Sequence, residues 1–154
     1  MTLEAARALA VHLMARHGLE GWTFAFDRAR KRLGSCLPSS RRITLSSTLT
    51  RLNDEEVVRD TILHEIAHAL TPGDGHGARW RAACRKIGAR PERLVPSHEV
   101  VLPPAPHALV CDRCGGRYPR YRRSRLRYAC GRCRAEGGVE SPLRWVSAAA
   151  PERG

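Results

Sequence analysis

A chain of 154 residues has room for one compact domain with an appendage, or for two small ones, and a formal charge of +12 makes it a ligand for polyanions. Nearly all of that charge is arginine, with Lys31 and Lys86 the only lysines, so codon bias explains the residue type while the surplus itself points to nucleic acid, with an acidic protein as the alternative partner. No apolar run approaches membrane-spanning length, and Glu4, Arg7 and Arg16 interrupt the first eighteen residues, which excludes a signal peptide there and sets the expectation of a cytoplasmic, DNA-associated protein with no membrane contact.

The apolar spacing of Leu3, Ala6, Ala10, Leu13 and Met14 predicts a helix over 2–17, stopped by Gly18. Trp22, Phe24 and Phe26 alternate with smaller residues, which predicts a half-buried strand over 22–27. The segment "GSCLPSS" reads as a turn, leading to a second strand over 41–47. Asn53 or Asp54 can cap a helix that runs to Leu70, where "TPGDG" breaks it, and Glu55 and Glu56 suit its positive end. A further helix over 77–87 places Trp80, Ala83, Cys84 and Ile87 at core spacing.

Prolines at 103, 104 and 106 make 100–110 an extended linker, and 111–146 a separate cysteine-bounded unit, with 147–154 as a frayed tail. Residues 1–110 carry 16 basic and 11 acidic side chains, whereas 111–146 carry ten arginines against three acids, so the smaller unit is the more basic per residue. Four of the six cysteines fall in CxxC pairs, the spacing of a metal site rather than of a disulfide framework in a reducing compartment. Cys36 and Cys84 remain, and read as small buried apolar residues.

The stretch "TILHEIAHALTPGDGHGARW", 61–80, carries chemistry. Positions i and i+4 of a helix share a face, so His64 and His68 can offer two imidazole nitrogens to one zinc ion. Glu65 lies one residue round the helix, placed to accept a proton from water that the metal acidifies. A catalytic zinc needs a third protein ligand and one open position. His76 suits that role because Gly73, Gly75 and Gly77 let the backbone turn around it, with Asp74, Glu92 and His98 as alternatives. Arg79 and His98 are candidate oxyanion stabilisers. The bland alternative is an amphipathic helix built on Leu63, Ile66, Ala67 and Leu70 that has no use for metal.

"CDRCGGRYPRYRRSRLRYACGRC" reads C-x2-C-x15-C-x2-C, and four thiolates from Cys111, Cys114, Cys130 and Cys133 close a tetrahedron with no open position, so this second zinc is structural. Two disulfides are the alternative, and iron in place of zinc is compatible with the spacing. Between the pairs lie Arg117, Tyr118, Arg120, Tyr121, Arg122, Arg123, Arg125, Arg127 and Tyr128. Arginines of this kind contact phosphates and tyrosines stack on unpaired bases, which points to sequence-independent, salt-sensitive binding of single-stranded DNA. A solvated hairpin whose tyrosines cover the metal is the alternative.

On "DTILHEIAHAL…GHGARWRAACRKIGA", together with "WTFAFDRARKRLGSC" and "ITLSSTL", the chain resembles the SprT-like metallopeptidases, which include the DNA-dependent protease Spartan. The resemblance covers 1 to about 95, so that 1–99 forms the protease domain. It implies an α+β, zincin-like fold with helices on a small antiparallel sheet, zinc on His64, His68 and His76, and Glu65 as catalytic acid and base. It also implies proteolysis of proteins bound or crosslinked to DNA; a monomer is expected. A non-catalytic nucleic-acid adaptor and a hydrolase of a non-protein substrate are the competing functions.

Overall fold

The computed structural model describes residues 1–93 and 99–147. The chain divides into two compact units, Met1–Pro103 and Pro104–Gly154.

In the first unit, helix α1 (Leu3–Arg16) starts where the Thr2 hydroxyl accepts the Ala5 N–H, and it buries Ala6, Ala10, Leu13 and Met14. Strands β1 (Thr23–Asp27), β2 (Gly34–Leu37) and β3 (Arg42–Ser46) follow, with the short helix α2 (Ser47–Leu52) directly after β3. Helix α3 (Glu55–Leu70) is capped by Asp54, whose carboxylate accepts the Val57 N–H at 3.0 Å. Helix α4 (Ala78–Ile87) ends at Gly88.

The sheet order is β1-β3-β2. The β1–β3 pairing is parallel and the β2–β3 pairing antiparallel, so the sheet is mixed where a wholly antiparallel one was expected. The central strand β3 is buried on both faces. Ile43 and Leu45 enter the core with α1, α3 and α4. Thr44 and Ser46 are buried too, and their hydroxyls donate to Asp27 and to the Ala29 carbonyl, which satisfies them. The predicted turn at 34–40 is half strand: β2 is an edge strand, and only Pro38–Ser40 form the one-turn helix that reverses the chain.

Helix α3 lies at the centre of the unit. Val58, Ile62, Leu63, Ile66 and Ala67 pack against α1, β3 and α4. Beyond α4, Arg90 donates from its backbone N–H and its Nε to the Asp60 carboxylate, both at 3.0 Å, and a third bond runs to Glu99. Buried Asn53 brackets Val101, accepting its N–H at 2.8 Å and donating to its carbonyl at 3.0 Å. The expected linker over 100–110 is therefore much shorter. Residues up to Pro103 belong to the first unit, and a strand begins at His107.

The second unit holds an antiparallel sheet of order β5-β4-β6, formed by β4 (His107–Cys111), β5 (Arg117–Arg120) and β6 (Leu143–Ser147). A short helix α5 (Gly131–Gly137) starts directly after Cys130 and carries Cys133. Ser147, the first residue of the expected tail, closes β6, and the rest of that tail, 148–154, lies outside the described residues. Among the described residues no helix is long and apolar enough to cross a membrane.

Candidate metal centres

Helix α3 turns His64 and His68 to one side, and Gly73 and Gly75, both in the left-handed region, reverse the chain so that His76 comes back beside them. The three Nε2 atoms stand 3.2–3.3 Å apart in every pairing. A tetrahedral ion with bonds of about 2.05 Å requires ligand nitrogens about 3.3 Å apart, so this triangle fits zinc. Burial holds all three imidazoles below their usual pKa, aided by neighbouring cations, and His64 is lowered to about 4. Neutral rings keep the lone pairs a metal needs.

Fully buried Trp80 backs the triangle. Its ring lies 4.6–5.3 Å from all three imidazoles and is stacked on His68. Asp74 holds Trp80 in turn, accepting its backbone N–H at 2.9 Å, and Gly77 leaves room for that carboxylate because any Cβ would meet it at 2.6 Å. Arg81 donates to the His76 carbonyl at 2.9 Å. Asp74, one of the alternative ligands, thus caps α4. Glu92 is not part of the cluster, and His98 lies outside the described residues. Arg79 is exposed and does not line the cleft described next.

A cleft of about 780 Å3 runs past the imidazoles, bordered by Gly34, Ser35 and Cys36 of β2 and by Glu65. Glu65 is 7% exposed, and burial pushes its carboxyl up to about 7 against the pull of the Cys36 backbone N–H and of Arg32. A carboxyl that titrates near neutrality can both take and return a proton. Cys36 was expected to be buried; it is half-buried and lines the cleft, and burial followed by the Glu65 charge raises its thiol to about 12. Cys84 is buried as expected.

In the second unit the thiols of Cys111, Cys114, Cys130 and Cys133 lie within 4.8 Å of one another. The closest pairs are 3.6 and 3.7 Å apart, near the roughly 3.8 Å edge of a zinc–thiolate tetrahedron and far from a disulfide bond of about 2.05 Å. These residues, with Tyr118 and Leu143, form the unit's cysteine core. The Tyr118 hydroxyl meets Cys130 Sγ at 3.1 Å, and this bond, then the Cys133 backbone N–H, lowers the Cys130 thiol to about 6.

Tyr118 therefore covers the cysteine cluster, as the solvated-hairpin alternative required of it. Arg117 and Arg120 share β5 with it, and Arg122, Arg123, Arg125 and Arg127 are exposed beyond the strand. Tyr121 and Tyr128 are half-buried, and the Arg120 guanidinium sits 5.9 Å over the Tyr128 ring. Sequence reasoning missed Trp145 on β6, whose ring lies 6.2 Å from Tyr128 and 6.5 Å from His107.

A family model of the SprT-like family matches residues 6–99. The chain belongs to the SprT-like family. In this SprT-like chain the matched segment contains the whole histidine cluster, Glu65 and β2, and the four-cysteine sheet lies beyond it. Among solved structures, the fold is similar to the metallopeptidase zymogen of Methanocaldococcus jannaschii, jannalysin, at 16% identity and a TM-score of 0.48, over 61% of this chain and 85% of that one. No curated protein matches the chain in sequence.

Proposed function

We propose that this SprT-like chain is a zinc peptidase that cleaves proteins bound or crosslinked to DNA. The carrying observation is the set of three imidazole nitrogens 3.2–3.3 Å apart, with Glu65 buried one residue along the same helix and an open cleft in front. A purely structural site of three histidines has no use for a buried carboxyl beside it.

Zinc held by His64, His68 and His76 would polarise the scissile carbonyl and make water acidic enough to attack near neutral pH. Glu65 takes the proton as the new C–O bond forms and returns it to the leaving amine as the C–N bond breaks. Among the described residues the edge strand β2 has a backbone partner on one side only, β3, and its residues line the cleft, so an extended peptide can pair along it and lie across the site. The DNA part of the proposal is supported by the charge of +12 and by the exposed arginines of the four-cysteine unit.

The competing function is a nucleic-acid adaptor with an idle metal site. Wild type and Glu65→Gln are incubated with a protein substrate, with and without single-stranded DNA. Cleavage by wild type that DNA enhances and Glu65→Gln abolishes is the expected result. Salt-sensitive DNA binding by both, with no cleavage by either, supports the adaptor. Cleavage by Glu65→Gln at the wild-type rate refutes the assigned role of Glu65.

A further inference from the structure

The connection from β1 to β2 begins "RARKR" at residue 28, four cations in five positions, and Asp27 is the sole acid between Glu20 and Asp54. Such a run is ordinarily a solvated loop with a loose backbone. Here the backbone is fixed to the end of β3. The Asp27 carboxylate accepts the Ala29 N–H at 2.8 Å, the Ser46 hydroxyl donates to the Ala29 carbonyl at 2.6 Å, and the Ser47 hydroxyl donates to the Asp27 carbonyl at 3.0 Å. The Leu33 carbonyl accepts the Ser46 N–H at 2.8 Å.

Asp27 has nothing left for the other cations. Its second oxygen is taken by Arg32 at 2.5 Å and by the Thr44 hydroxyl at 2.9 Å. Arg28 and Arg30 are exposed and have no ion pair among the described residues. The loop also straddles a boundary: Lys31 and Arg32 line the cleft, whereas Arg28 and Arg30 do not. Arg28 and Arg30 therefore stand outside the lining of the cleft. They suit a partner that stays outside while a peptide enters.

We propose that Arg28 and Arg30 contact the phosphates of a nucleic acid held against the rim of the cleft. This rests on the reading that the substrate is a DNA-held protein, and adds that the catalytic unit grips the polyanion itself, independently of the arginines in the four-cysteine unit. Two guanidiniums on a fixed backbone make a positioning contact to phosphates that is indifferent to sequence. An acidic protein segment is the competing occupant.

The test uses the full chain and a labelled single-stranded oligonucleotide, with affinity measured by anisotropy across a KCl series. For Arg28→Gln/Arg30→Gln, the plot of log affinity against log salt becomes shallower by about 1.4, two phosphates at about 0.7 each. Arg28→Lys/Arg30→Lys keeps the wild-type slope, and both variants cut a DNA-free unfolded protein at the wild-type rate. If the double glutamine variant melts below wild type, Arg28→Gln and Arg30→Gln are measured singly, each with half the change. An unchanged slope in the glutamine variants overturns the proposal. So does a reduced rate on a DNA-free acidic peptide with binding unaffected, which assigns the loop to protein. The slope decides the matter even if wild type cuts no DNA-linked protein, an outcome that removes the proposed function alone.

Discussion

Gly34 lies directly over Glu65: a Cβ at position 34 would stand 2.9 Å from Glu65 Cγ and equally close to Thr61 Cγ2. The edge strand thus approaches α3 as closely as a missing side chain allows, and this contact helps bury the carboxylate. Gly34→Ala is expected to displace β2 or Glu65, costing about 1–3 kcal/mol of stability. Cleavage should fall while zinc content stays at two per chain; a fully active variant would show that the close approach has no catalytic role.

Glu65→Gln keeps the shape of the site and removes the base. Cleavage should drop by about 10²–10⁴-fold, the usual worth of a positioned acid–base group, with both metals retained. Elemental analysis beside the rate assay checks this, and loss of one zinc from the variant would make Glu65 a ligand instead.

Trp80 backs all three imidazoles, yet its own Nε1 is buried with no hydrogen-bond partner among the described residues. Trp80→Phe removes the unpaired donor and keeps an aromatic wall, so stability should hold or rise. Trp80→Ala should cost about 3–5 kcal/mol and weaken zinc binding by roughly 10–100-fold. Competition with a chelator reads the affinity, and equal zinc affinity in both variants would show that the wall does not hold the ligands.

The acidity of the metal-free site is predicted by opposing shifts. Glu65 rises from its ordinary 4.5 to about 7, so the folded state binds the extra proton and this group's contribution to stability falls as pH rises between those values. His64 falls from 6.5 to about 4, so here the unfolded state binds the extra proton and stability rises with pH over that window. With chelator present, Glu65 offsets one of the three lowered histidines between about pH 4.5 and 6.5, so wild type should gain less stability over that window than a variant without the carboxyl. Glu65→Gln leaves the histidines unopposed and should gain on the order of 2 kcal/mol across that window, discounted for the partial exposure of His64. Denaturant midpoints against pH test this, and parallel curves would contradict it.

Tyr118→Phe deletes the hydroxyl that meets Cys130 Sγ at 3.1 Å. Zinc should leave the four-cysteine unit about 10–100-fold more readily, as for other outer-shell partners, while the histidine site is unaffected. A colorimetric chelator with a thiol-blocking reagent reports the rate, and an unchanged rate would reduce Tyr118 to a packing group.

The histidine cluster was legible in the sequence because helical geometry and glycine chemistry are local. HExxH fixes two nitrogens on one face, and Gly73 and Gly75 announce the reversal that returns His76. The β2 strand was not legible. Gly34, Ser35 and Pro38 are turn residues by propensity, and the strand exists because β3 pairs with it and Glu65 lies beneath it. The parallel β1–β3 pairing was hidden for a similar reason, since the order of strands in a sheet is a tertiary choice. Prolines at 103, 104 and 106 did mark a boundary, but Asn53 claims the residues before it and β4 those after, leaving far less linker than the composition advertised. Tyr118 was grouped with exposed arginines by proximity in sequence, whereas strand alternation turns it toward the thiols.

The Asn53 clamp also dictates where the protease unit can be severed. A fragment ending at residue 99, where the family match stops, would strip Val101 from Asn53 and take the Val101 N–H from its buried Oδ1, while Nδ2 keeps the Leu49 carbonyl. Cutting after Pro103 keeps that knot tied, because the first unit reaches four residues past the C-terminal end of its family match.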